Sequence, residues 1–285
     1  MKKFLFLISL LFVNYFVSGQ KVVEPSTTMH PEWSKPYQPF RIVGNLYYVG
    51  TYDLACYLIV TPKGNILINT GLASSASYIK KNIETLGFKF ADTKILLNMQ
   101  AHFDHMGAMA AIKRLTGAKL MMDEGDAAMA AGGGRSDYSS RQKVMTYVPV
   151  KPDRLLHNGD TVKLGGMQLI MLHHPGHTKG SNSYLFTVAD KKRKYRVLIA
   201  NMPTIITDEK FSDLSDYPTI AKDYAYTINS MQNLNFDIWL AAHASQFDLA
   251  GKHKPGNSYN PAAFMDKKGY DDNMNNLRKA FTEHK

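Results

Sequence analysis

Cysteine is almost missing: Cys56 is the only one in 285 residues. An exported chain with a single thiol forms no intrachain disulfide, and a closed thiolate metal site of the structural kind is excluded as well. Cys56 stands in the apolar run 54–60 with no Cys or His beside it, so it reads as a small buried hydrophobe, not a nucleophile. Low-complexity runs are also missing. Charged residues are held to 20% against 45% hydrophobic, which excludes a disordered chain. Acidic residues are outnumbered by basic ones, 24 against 34, for a formal charge of +10. The basic residues are scattered, apart from a run over 191–194 where a hairpin turn is expected. No nucleic-acid motif accompanies them, and no nucleic-acid partner is expected.

One long apolar stretch is present, over residues 4–17, preceded by Lys2 and Lys3 and followed by Val17-Ser18-Gly19. It is too short for a comfortable bilayer span and ends at a plausible cleavage site. This predicts an export signal over 1–19 and a periplasmic mature chain starting near Gln20, with a formal charge of +8 and no membrane span.

Beyond a proline-rich lead-in (Pro25, Pro31, Pro36, Pro39), short strands are expected over 41–50, 55–61 and 65–69. Ile79, Ile83 and Leu86 share one face of a helix over 74–86, which Gly87 ends. A buried strand over 94–98 runs into a loop over 100–107, then a helix over 108–115 and a strand over 119–122. A helical turn over 125–131 precedes Gly132-Gly133-Gly134, which opens a loop, read as flexible, to residue 140. The second half repeats this logic. Strands over 161–164 and 167–172 lead to a loop over 173–180, and a hairpin of 183–188 with 195–200 follows. Helices over 217–234 and 261–283 flank a strand over 238–242. Strands followed by helices, twice over, predict two sheets packed together with helices outside, in one domain over 20–285.

The sequence Gln100-Ala101-His102-Phe103-Asp104-His105 follows directly on a buried strand, at the end where layered α/β folds bind ligands. Two imidazoles, a carboxylate and an amide in one short loop can diverge to two neighbouring metal ions, and such donors suit zinc. His177, in Pro175-Gly176-His177-Thr178, and His243, in Ala242-His243-Ala244, stand at equivalent stations just past strand ends. One histidine in a loop is ordinarily polar surface; the full set at strand ends is a catalytic kind of metal site with open positions. His173 and His174 have no motif of their own, and His30, His157, His253 and His284 read as surface histidines.

The His-x-Asp-His loop, the Pro-Gly-His-Thr turn and the late His243 resemble the metallo-β-lactamase superfamily over nearly the whole chain after residue 19. The resemblance implies an αβ/βα sandwich, two mixed β-sheets face to face with helices outside. Most members bridge two metals with an Asp after the Pro-Gly-His turn. Here Leu198-Ile199-Ala200-Asn201-Met202-Pro203 sets Met202 at that position, and a thioether cannot bridge two zinc ions as a carboxylate does. Lack of the bridge is typical of true class B β-lactamases, and lack of Cys there points to the third subclass. Gln100 in place of the usual first His, with Asn69-Thr70-Gly71 and His243-Ala244-Ser245-Gln246-Phe247, is similar to the GOB-type enzymes of that subclass.

By that resemblance Gln100, His102 and His177 form one zinc site, and Asp104, His105 and His243 the other. An amide oxygen is a weaker donor than imidazole, so the Asp104 site is expected to fill first. Asn69, where the superfamily often has Asp, leaves no carboxylate to support a ligand at that position. The expected activity is hydrolysis of the β-lactam amide bond in penicillins, cephalosporins or carbapenems, with antibiotic resistance as the outcome. Zinc would make hydroxide available as the nucleophile, and Asp104, the catalytic residue, would orient the water and handle its proton. Thr204, two residues after Met202, matches a substrate-contacting hydroxyl. The expected partner is the small β-lactam alone, with the protein a monomer. A lactonase or thioesterase on the same scaffold, and a non-catalytic zinc-binding protein, are the alternative readings.

Overall fold

The computed structural model describes residues 21–140, 142–191 and 193–285. The export signal expected over 1–19 and its expected cleavage point, together with Gln20 and with Lys192 of the basic run, lie outside the described residues.

The first half runs β1 (Phe40–Val43), β2 (Leu46–Tyr48), β3 (Tyr57–Thr61), β4 (Gly64–Ile68), α1 (Ser75–Thr85), β5 (Thr93–Leu97), α2 (Phe103–Met106), α3 (Met109–Thr116), β6 (Lys119–Asp123), α4 (Glu124–Ala131) and β7 (Arg154–Leu156). Its strands form one seven-stranded sheet in chain order, antiparallel as far as β4 and parallel from there. The second half runs β8 (Thr161–Leu164), β9 (Met167–His173), β10 (Asn182–Asp190), β11 (Arg193–Ala200), α5 (Ile220–Gln232), β12 (Ile238–Ala241), α6 (Leu249–Lys252) and α7 (Lys267–His284). These five strands form a second mixed sheet, ordered β12-β11-β10-β9-β8, in which only β11 and β12 are parallel.

The period of two along a strand decides the layers. Tyr57 and Ile59 of β3, Ile66 and Ile68 of β4, and Ile95 and Leu97 of β5 share a core with Leu169, Met171 and Tyr184 of the second sheet. The residues between them, Leu58, Leu67 and Leu96, pack with Ile79 and Ile83 of α1 and Ile112 of α3. Both faces of these strands are covered, which is why the sequence shows unbroken apolar runs there. On the far side, Trp239 of β12 meets Tyr270 of α7 with ring centroids 5.4 Å apart, and the Tyr270 hydroxyl donates to Met231 O of α5 at 2.8 Å. Helices therefore lie outside both sheets, as expected for the αβ/βα sandwich.

Three local expectations are corrected. The strand over 41–50 is two strands, because Gly44 turns the chain at φ 51°. The helix over 261–283 starts only at Lys267, where the Asp266 side chain accepts from Gly269 N at 2.8 Å, while Pro261–Phe264 form a separate 3-10 turn. The loop over 100–107 contains the helical turn α2. β7, three residues long, is too short to leave a periodic signal.

The start of the glycine-rich loop after α4 is held by backbone hydrogen bonds. Gly133 and Gly134 hold φ of 66° and 87°, and their N–H groups donate to Ala130 O and Met129 O at 3.2 and 2.9 Å. A Cβ on Gly133 would lie 2.6 Å from the backbone oxygen of Tyr147. Gly133→Ala is expected to cost about 1–3 kcal/mol in thermal or denaturant unfolding, from the left-handed conformation and this clash. An unchanged midpoint would mean that the loop relaxes freely.

Candidate metal centre

Each half sends its candidate ligands from strand ends. Gln100 to His105 leave β5, His177 follows β9, and His243 follows β12. At this edge the sheets are tied together: Leu54 bridges to His243, Ala55 N donates to Ala242 O at 3.1 Å, and Ala244 N donates to Asp53 O at 2.6 Å. His102 is extended (φ −81°, ψ 158°) and α2 starts at the next residue. This change of conformation splits the six-residue motif, turning Gln100 and His102 one way and Asp104 and His105 another.

Two groups result. In the first, His102 Nδ1 lies 3.1 Å from Gln100 Oε1 and 3.2 Å from His177 Nε2. In the second, Asp104 Oδ2 lies 3.2 Å from His105 Nε2 and 3.3 Å from His243 Nε2, and the potential ligand atoms of all three residues fall within 4.8 Å of one another. Five of the six are buried, and the His243 side chain is 19% exposed. The structure thus brings all six sequence-predicted residues into two clusters.

The donor chemistry fits cations. His177 Nδ1 is 2.7 Å from Thr204 O, to which it donates, so its Nε2 carries a lone pair. Gln100 Oε1 is an acceptor too, and the single proton that His102 Nδ1 can carry does not serve both. In the second group His105 Nε2 is buried with no hydrogen-bond partner, although Asp104 and His243 surround it. Converging lone pairs without enough protons are what a zinc ion satisfies.

Electrostatics set the second group apart. Burial disfavours the Asp104 carboxylate, but His105 and His243 outweigh it and hold its pKa well below the usual carboxylate range. Burial likewise opposes charge on His243, yet hydrogen bonds to Asp104 and Asp53 raise its pKa to about 9. Burial and neighbouring His102 push His177 down to about 3, keeping it neutral. Burial lowers His105 despite Asp104 beside it.

Carboxylates that the sequence did not single out support these ligands. Asp53 Oδ2 lies 2.9 Å from His243 Nδ1 and accepts from Trp33 Nε1 at 3.1 Å; its Oδ1 accepts from Ser245 N at 2.8 Å. Asp137, on the glycine-rich loop, reaches His102 Nε2 at 3.2 Å. Asp126, fully buried, accepts from Ala101 N at 2.7 Å and from the Thr178 hydroxyl and Gly180 N at 2.8 Å each. It thereby clasps the loop of Gln100 and His102 to the loop of His177, and its burial raises its own pKa to about 6. At the position expected to lack a carboxylate, Asn69 presents an amide 3.2 Å from His105 Nδ1, and its φ of 60° is one that Asn tolerates well.

The clusters open into a cavity of about 570 Å³ walled by Trp33, Phe103, Ile206, Thr204, Asp137 and Ser245 among others. The proline-rich lead-in therefore supplies a wall, which nothing local in the sequence signalled. Thr204 is exposed there. Met202 is buried in the core and does not border the cavity, although its carbonyl accepts from Gln246 Nε2 at 3.0 Å. Cys56 is buried and its thiol pKa is driven up by burial, as a structural residue requires. His174 is buried against Ser183 at 2.8 Å and His173 pairs with Asp123 at 2.7 Å. His30 and His157 are exposed as expected, His30 stacking on Trp33 at the cavity rim. His253 and His284 are corrected to half-buried: one stacks on Phe40, and the other is 2.8 Å from both Ala280 O and Thr207 O.

Comparison with known proteins bears on this geometry. The description of the metallo-beta-lactamase superfamily matches residues 50–189. The crystal structure of the class B3 di-zinc metallo-beta-lactamase LRA-12, from an Alaskan soil metagenome, is 62% identical in sequence. It matches 92% of this chain and 99% of its own, with a TM-score of 0.91. The chain belongs to the metallo-β-lactamase superfamily. The metallo-beta-lactamase GOB-18 of Elizabethkingia meningoseptica is 56% identical over 94% of this chain and 98% of its own, with a TM-score of 0.92. Among curated relatives, the uncharacterized protein YobT of Bacillus subtilis is 28% identical over half of this chain and 60% of its own length. The chain spans 28% to 63% of the length of the curated relatives it matches. As a metallo-β-lactamase superfamily member, it shares its fold with these two enzymes along almost their whole length.

Proposed function

We propose that this chain is an exported class B3 zinc β-lactamase that hydrolyses the amide bond of β-lactam antibiotics and confers resistance to them. The observation that carries the reading is the pair of ligand clusters, one with a carboxylate and one with only amide and imidazole donors, on the floor of a cavity of about 570 Å³. A cavity of that size accepts a drug-sized ligand. The matched structures at 56% and 62% identity, named as metallo-beta-lactamases, support the substrate class. The apolar stretch over 4–17, behind Lys2 and Lys3 and before Val17-Ser18-Gly19, supports export. Among the described residues no helix is long and apolar enough to cross a membrane.

Gln100, His102 and His177 would hold one zinc ion, and Asp104, His105 and His243 the other. When bound, zinc supplies positive charge for the developing anion and lowers the pKa of water towards neutrality. The second cluster is the tighter, because it contains a carboxylate and the first has only neutral donors. Asp104, kept ionised by its two histidines, orients the attacking water and accepts its proton. Trp33, Phe103 and Ile206 present apolar surface to the antibiotic's ring system and keep water from the lactam face. Thr204, at the edge of the cavity, offers a hydroxyl to the substrate carboxylate. Its backbone carbonyl meanwhile fixes the tautomer of His177.

Purified mature protein is expected to hydrolyse a carbapenem, to stop when a chelator is added and to recover with zinc. A simple lactone ester should be a poor substrate under the same conditions. Turnover of the lactone without turnover of the carbapenem would move the function to another hydrolase on this scaffold.

A further inference from the structure

The first cluster poses a problem of charge. Its three donors, an amide and two imidazoles, bring no negative charge, whereas the second has Asp104 as a ligand and Asp53 behind His243. We propose that Asp137 is the positioning residue that makes up for this, acting through His102 to set zinc affinity at the Gln100–His102–His177 cluster. The inference rests on the assignment of that cluster as a zinc site.

The placement supports the role. His102 turns Nδ1 to Gln100 and His177, while the opposite nitrogen, Nε2, is buried, has no aligned hydrogen bond and lies 3.2 Å from Asp137 Oδ2 as a charge pair. A carboxylate at that distance favours a positive imidazole and so raises the basicity of a ligating one. Asp137 is itself held: its Oδ1 accepts from Ser139 N and the Ser139 hydroxyl, both at 2.8 Å, and its side chain is 14% exposed. Behind it, Gly133 and Gly134 fix the loop in backbone conformations that favour glycine. Lys143 Nζ donates to Asp137 O at 2.9 Å. A carboxylate needed only for the Ser139 turn would have no reason to present its other oxygen to a buried imidazole. Because the same residue walls the cavity, the loop that borders the substrate is also the loop that tunes the weaker zinc site.

Zinc titration of the metal-free protein against a chromophoric chelator resolves two dissociation constants. Asp137→Asn should raise the weaker constant about 10–100-fold and leave the tighter one within about twofold. Asp137→Glu should recover part of the loss. Equal weakening of both constants, or no change in either, would overturn the proposal. His177→Ala serves as the reference: it should abolish the weaker site. If His177→Ala leaves both constants intact, the assignment of the first site fails; if it removes the weaker site while Asp137→Asn changes nothing, only the role of Asp137 fails.

Discussion

Replacing Asp104 with Asn is expected to lower kcat/KM for a carbapenem by about 10³-fold, within the range for loss of a general base. Asp104 Oδ2 sits 3.2 Å from His105 Nε2 and 3.3 Å from His243 Nε2, so an amide oxygen can occupy the same position without a clash. What changes is charge. His243 loses the first of the two carboxylates that raise its pKa, and the tighter zinc cluster becomes a set of neutral donors like its neighbour. Two measurements separate the consequences. Titration should show the tighter zinc constant weakened towards the other. At saturating zinc, kcat should still fall by about 10²-fold or more, because an amide cannot take the proton of the attacking water. Full recovery of kcat with excess zinc would leave Asp104 as a ligand and remove it from proton transfer.

The parts of the fold that could be read from the sequence are those whose signal is local. The apolar runs around Ile59, Ile66 and Leu97 could only be buried strands, and Ile79, Ile83 and Leu86 could only face one way on a helix. The six candidate ligands were legible because four of them share one motif and the other two follow strand ends. Their supports were not. Asp53 reaches His243 across 190 residues, and nothing around Thr51-Tyr52-Asp53-Leu54 distinguishes it from a carboxylate on any strand-end turn. Asp137 sits in a stretch of Gly, Ser and Asp whose composition reads as slack chain, because glycine serves flexibility and tight left-handed turns alike. Asp126, on a short helix with Ala on both turns, shows its function only when the loops of His102 and His177 are brought together around it. Asn69 leaves its own position without a carboxylate, as expected, and the supporting carboxylates arrive from other segments.

Asp53→Asn should destabilise the metal-free protein at pH 5–6 by about 2–3 kcal/mol, and the cost should depend on pH in a defined way. Asp53 is 8% exposed on its side chain. Burial alone would raise its pKa, but His243 and the Ser245 bonds lower it from 3.8 to about 2. A depressed carboxylate contributes stability that is present above its unfolded pKa and is lost as pH falls through the folded one. Its share is therefore complete above about pH 4 and disappears towards pH 2. His243 has the opposite sign. Its pKa is raised from 6.5 to about 9, so its share is complete below the first value and is lost as pH rises through the second. Between roughly pH 4 and 6.5 the pair contributes most, and the gap between wild type and Asp53→Asn should be widest there and narrow on both sides. Chemical denaturation of the metal-free proteins across pH 2–10 measures it; a gap that does not vary with pH would mean that Asp53 acts by shape and not by charge. In the zinc-loaded protein the ion takes the place of the His243 proton, and the same substitution should weaken the tighter zinc constant about 10–100-fold while the weaker one stays unchanged. Asp53 and Asp137 would then be separable by which constant each one moves, and each zinc affinity would be tuned by a carboxylate that touches no metal, on top of what the ligands themselves supply.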